Sequence, residues 1–184
     1  MAEEGVKDHL SAKRKAAERL GLTPTKSLPS NQEIEAALAE YLQLFHRDRL
    51  HETLSRLRRL ALEAMRFMAK FDPYLVGPVL HGTVTSGSEI QLHVTAETAE
   101  EIGWYLTEHN IAYEETERRL RFGGERYENL PAFRFLADTS TIEICVFTKK
   151  TVRERPYSPV TGKPEQRGDL KEVSTLLSGL VRPD

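Results

Sequence analysis

Four residues of this chain carry side chains that do chemistry, and three of them share a spacing that gathers them. The run Glu89-Ile90-Gln91-Leu92-His93-Val94 alternates strictly, so as a strand it turns Glu89, Gln91 and His93 to one face and Ile90, Leu92 and Val94 to the other. A carboxylate, an amide and an imidazole on one face can ligate, hydrogen-bond or move protons. The fourth residue, Glu143, is the one carboxylate in Thr141-Ile142-Glu143-Ile144-Cys145-Val146-Phe147-Thr148. A lone charge in so apolar a strand is expensive unless something pairs it. Ahead of the first run lies a loop of small residues, Gly82-Thr83-Val84-Thr85-Ser86-Gly87-Ser88, and before it an apolar stretch over residues 75–80. Together these read as strand-turn-strand.

Helices are expected on both sides. Val6, Leu10, Ala17 and Leu20 predict a short helix over residues 6–20, stopped by Gly21 and Pro24. Ser30 and Glu33 form a capping box for a second, with Ile34, Leu38, Tyr41 and Phe45 on its buried face. A new stripe then runs through Leu50, Leu54, Leu57, Ala61, Ala64, Met68 and Phe71. Leu50 falls about 140° round the helix from Phe45, so a break or bend is expected near Arg47-Asp48. Since no Gly or Pro interrupts 31–72, one long helix with two neighbours is the other reading. Asp72-Pro73 ends it.

Downstream, Thr98 and Glu101 make a capping box for a helix containing Ile102, Trp104, Tyr105 and Leu106. Short strand signals follow at 111–115, 119–122, 132–137 and 141–148, with turns at Gly123-Gly124 and Asp138-Thr139-Ser140. Residues 149–167 hold three prolines and a net charge of +4, an extended basic loop. Asp169 and Glu172 cap a last helix whose Leu170, Val173, Leu176, Leu177 and Leu180 should dock on the sheet.

Composition narrows the classes. At 184 residues and 39% hydrophobic content the chain makes one packed unit. A net charge of -2 argues against a dedicated nucleic-acid binder. The single cysteine, Cys145, leaves no disulfide framework and fits a reducing, cytoplasmic setting. No apolar leader opens the sequence and no 18-residue apolar run occurs, so no membrane partner is expected. The expected organisation is a helical segment over 1–72, an α/β core over 73–150, and the basic loop with its helix over 151–184.

The combination of Gly82-Thr83 with Ser88-Glu89-Ile90-Gln91-Leu92-His93-Val94 resembles the signature of the nucleotidyltransferase superfamily, the polymerase-beta-like fold. That signature is an apolar strand ending in Gly-Ser or Gly-Gly, a loop, a strand with two carboxylates one residue apart, and a third carboxylate on a later strand, where Glu143 stands. The resemblance covers about residues 50–150 and implies an α+β fold with a mixed sheet of about five to six strands, preceded by a long helical segment and closed by a C-terminal helix. It implies that Glu89 and Glu143 are catalytic and hold Mg²⁺ or Mn²⁺, with His93 as a further ligand. Gly82, Thr83, Ser88 and Gln91, with Arg153 and Arg155 of the basic loop (or Lys149), would meet a nucleotide's phosphates.

Three departures set the functional expectation. Thr83 replaces Ser, Glu89 replaces the first Asp, and Gln91 puts a neutral amide at the second carboxylate; in addition, five residues separate Thr83 from Glu89, where the family has roughly twice that. A degenerate domain that binds nucleotide or regulates, alone or as one half of a homo-oligomer, is the first expectation. Metal-dependent nucleotidyl transfer from an NTP to a hydroxyl acceptor is the alternative.

Overall fold

The computed structural model describes residues 13, 15–18, 29–45, 47–85, 87–149 and 151–180. Its helices are α1 (Asn31–Phe45), α2 (Arg47–Phe67), α3 (Gly77–His81), α4 (Glu100–Glu108) and α5 (Leu170–Ser178). The strands are β1 (Tyr74–Val76), β2 (Ile90–Thr95), β3 (Glu114–Arg121), β4 (Tyr127–Ala137) and β5 (Ser140–Phe147). They form one mixed sheet in the order β1-β2-β5-β4-β3. This is the α+β architecture expected from the sequence, with five strands, helices before them and a helix after. No described helix is long and apolar enough to cross a membrane.

Register decides which side chains meet. β1 runs antiparallel to β2, with Val76 opposite Gln91. β2 runs parallel to β5 with Gln91 beside Glu143, and β5 antiparallel to β4 with Glu143 opposite Arg134. β4 and β3 close the other edge. Period two then sorts the sheet into two faces. Ile90, Leu92 and Val94, Ile142, Ile144 and Val146, and Phe133 and Phe135 form one core with Leu54, Ala61 and Met65 of α2, Ile102 and Leu106 of α4, and Val173 of α5. Each of these side chains larger than alanine stabilises by about 1.5–3 kcal/mol when fully buried. The opposite face has only a small apolar cluster, Phe122, Leu130, Cys145 and Phe147, and otherwise carries the polar residues.

Local chemistry explains the boundaries. The Ser30 capping box forms in both directions, Glu33 N–H to Ser30 Oγ at 3.1 Å and Ser30 N–H to Glu33 Oε2 at 2.7 Å. Asp169 caps α5 by accepting from Glu172 N–H at 2.8 Å. α4, by contrast, has Ala99 at its N-cap with no side-chain hydrogen bond, so Thr98 and Glu101 form no capping box. Of the helix expected over 6–20, Lys13 and residues 15–18 are helical, and its remainder lies outside the described residues. α1 runs to Phe45 and α2 from Arg47, and the junction at His46, site of the expected break or bend, lies outside the described residues.

Two expected strands, 111–115 and 119–122, are one, because Thr116-Glu117-Arg118 contains no breaker and an edge strand tolerates charge. The stretch over 75–80 is a strand only to Val76. Gly77 takes φ 72° and Pro78 then starts α3, so the expected hairpin is strand, helical turn, strand. α5 packs mainly on α2, and its Val173 enters the same core as the sheet's apolar face.

Candidate functional site

Arg58 of α2 fixes the turn that enters the site. Only 5% exposed, it has no carboxylate partner among the described residues; Nε donates to Val79 O at 3.1 Å, Nη2 to Leu80 O at 2.9 Å and Nη1 to Leu176 O at 3.2 Å. Three carbonyls thus satisfy a buried cation, whose pKa burial lowers. The helical turn is closed by Gly82, at φ 83°, whose N–H donates to Pro78 O at 2.8 Å.

At the start of that turn sits the glycine that matters to the polar face. A Cβ on Gly77 would lie 2.6 Å from Gln91 Oε1, so the amide of Gln91 packs directly on the glycine. Gly82 instead approaches Leu54 and Arg58, on the helical side. Thr85 N–H donates to Ser88 Oγ at 2.8 Å and Ser88 N–H returns to Thr85 O at 3.1 Å, a self-contained turn. The glycine that follows β1 and touches the β2 polar face is therefore Gly77, not Gly82. Ten residues, 79–88, separate Pro78 from Glu89.

The two carboxylates converge. Glu89 immediately precedes β2, and Glu143 lies in the neighbouring β5. Their side chains are 12% and 11% exposed, so both need cations. Arg134 supplies one between them: Nη2 donates to Glu89 Oε1 at 2.6 Å, while Nε stands 4.0 Å from Glu143 Oε2. That Nε is buried with no hydrogen-bond partner among the described residues. Arg118 of β3 donates from Nη1 to Glu143 Oε1. Two acids and two guanidiniums thus make a locally neutral network.

His93 points elsewhere. It is 6% exposed, its Nδ1 accepts from Arg167 Nε at 3.3 Å, and its ring lies 4.6 Å from that of Phe147. Burial first, then the charges of Arg167 and Arg118, pushes its pKa well below the ordinary 6.5 and keeps it neutral with the proton on Nε2. Among the described residues no group of three or more His, Cys, Asp or Glu side chains is placed to hold a metal ion. Burial pushes the Cys145 thiol up to about 12, which removes it as a nucleophile.

Beside Gln91 and His93 opens a cleft of about 350 Å³. One wall is β3, with Arg118, Arg119 and Arg121, together with Tyr127; the other is the segment through Tyr157, Ser158 and Glu165. The wall is built by main-chain bonds, Tyr157 N–H to Arg121 O at 2.6 Å, Ser158 N–H to Lys163 O at 2.8 Å and Glu165 N–H to Pro156 O at 2.7 Å. Arg119 lies 4.5 Å over the Tyr127 ring and Arg121 lies 5.3 Å over that of Tyr157. Arg118 is met by Glu143, so Arg119 and Arg121 against Glu165 leave the cleft positive, a receptor for anions. Of the predicted phosphate residues only Gln91 lines it; Arg153 and Arg155 are exposed, and Lys149 pairs with Glu97. The missed residues had a legible signal, three arginines in Arg118-Arg119-Leu120-Arg121. A larger groove of about 480 Å³ sets four carboxylates, Asp72, Glu97, Glu101 and Glu108, against Lys70 and Lys149, a net negative lining that disfavours phosphate.

No protein-family model matches the chain, and no curated protein does. Among solved structures it is similar to a cytoplasmic RNA terminal U-transferase, at 16% identity and a TM-score of 0.35, over 62% of this chain and 34% of that one. This chain thus spans about a third of that protein's length. A likeness of that size decides neither fold nor activity.

Proposed function

We propose that this chain is a nucleotidyltransferase-like domain whose metal centre has been replaced by an internal cation, and that it binds the phosphates of a nucleotide in the arginine-lined cleft as a binding or regulatory module. The strand order supports the first part. A strand ending at a glycine turn lies antiparallel to the strand that follows Glu89, which in turn lies parallel to the strand of Glu143.

The observation that carries the rest is Arg134. Its guanidinium occupies the space between Glu89 and Glu143, where two carboxylates of an active enzyme would share divalent ions. Gln91, the remaining member of the set, is a neutral amide and a poor bridging ligand for Mg²⁺. These residues do not fit a divalent centre, so no catalytic step is assigned to one. The cleft supplies what a metal otherwise would: Arg121 presents a planar fork to phosphate oxygens, and Tyr127 and Tyr157 offer ring faces.

Calorimetric titration with ATP, CTP, GTP and UTP tests this reading. At least one nucleotide should bind, and Arg121→Glu should weaken it at least tenfold, about 1.4 kcal/mol. If none binds, the nucleotide reading is wrong.

A further inference from the structure

The sheet has two edges, and they are treated differently. At β1 the edge is closed by Gly168: Leu75 N–H donates to Gly168 O at 2.9 Å and Gly168 N–H to Leu75 O at 2.9 Å. At β3 it is open over most of its length. Phe122 N–H donates to Arg126 O on the β4 side at 2.8 Å, whereas Arg121 O turns away from β4 to accept from Tyr157 N–H. By alternation, residues 115, 117 and 119 direct their main-chain groups outward. No described main-chain group bonds them there.

Charge usually keeps such an edge from pairing with a second copy of itself. Here the outward-directed residues run Glu115, Glu117, Arg119, Arg121, acids first and bases second. An antiparallel copy reverses that order. We propose that two copies of this chain pair through β3, with Glu117 of one opposite Arg119 of the other about a two-fold axis at Arg118. Both residues of that pair face outward, so they can exchange main-chain hydrogen bonds, which a register shifted by one residue forbids. The exchanged pairs are thus Glu117 with Arg119 and, by symmetry, Arg119 with Glu117, both of opposite sign. On the other face Arg118 meets its own copy, and each is already neutralised by its Glu143. Tyr157, bonded to Arg121 O, ends the paired segment. The contact is isologous and closes at two subunits.

Sedimentation equilibrium tests the pairing, with circular dichroism as the check on folding. The full chain should be a dimer that dissociates as salt rises, because its ion pairs are exposed. Glu117→Arg and Arg119→Glu, each alone, should be folded monomers. The charge swap E117R/R119E should restore the dimer. A wild-type chain that stays monomeric, single variants that stay dimeric, or a folded swap that stays monomeric overturns the proposal.

Discussion

Arg134 of β4 reaches across the intervening strand β5 to donate to Glu89 at 2.6 Å, tying the residue before β2 to a strand two positions away in the sheet. On its way it comes within 4.0 Å of Glu143. One guanidinium therefore serves two nearly buried acids, and its removal leaves them with one cation fewer.

Arg134→Met should cost about 2 kcal/mol. This is below the 3–5 kcal/mol of a fully buried pair because the arginine is 33% exposed. Arg134→Lys should recover only part of that, since a point charge cannot fork between two acids. Denaturant unfolding measures both. In a double-mutant cycle Glu89→Gln should be less costly in the Arg134→Met background than in wild type; equal costs would mean the two residues are uncoupled.

His93 sets a pH dependence. Its folded pKa lies below the unfolded 6.5, so as pH falls the unfolded chain takes up this proton first. The stability associated with the neutral ring is full above about 6.5 and is lost below it, by up to about 1.4 kcal/mol per pH unit, until the folded value is reached. Melting temperature against pH should show this acid limb, and His93→Gln should flatten it. An unchanged limb would assign it to other groups.

Gly77→Ala and Gly82→Ala separate backbone strain from contact. Both glycines have positive φ, 72° and 83°, costing an alanine about 1–2 kcal/mol. At Gly77 the new methyl also meets Gln91 Oε1 at 2.6 Å, whereas at Gly82 nothing is nearer than 3.7 Å. Gly77→Ala should therefore be the more destabilising and should alone weaken nucleotide binding, through the displaced Gln91.

Arg58→Met should destabilise by about 3 kcal/mol, because two buried carbonyls and one part-buried one lose their donor at once. Unfolding titration reads the loss directly. A cost under about 1 kcal/mol would show that water replaces the guanidinium without penalty.

How much of this was legible in the sequence depends on the range of the interaction. The face shared by Glu89, Gln91 and His93, the strand around Glu143, and the caps at Ser30 and Asp169 follow from local period and spacing, and the structure has them. The small-residue loop 82–88 drew attention away from Gly77, whose role shows only once β1 is known to end at Val76. The partners of the carboxylates were out of reach, because Arg134 and Arg118 meet them through register across β4 and β5, at sequence separations of 45 and 25 residues. Arg58 reads as one more charge on a helix, and its burial depends on the docking of α5, whose Leu176 carbonyl it binds.

The central claim is that an internal cation has taken the place of catalytic metal, so nucleotide binding should not need metal. Calorimetry of the nucleotide that binds, in chelator and again in excess Mg²⁺ or Mn²⁺, tests this most directly. The account predicts dissociation constants within about twofold of each other, a difference of roughly 0.4 kcal/mol. Binding that appears only with the metal, and disappears in Glu89→Gln, would contradict it.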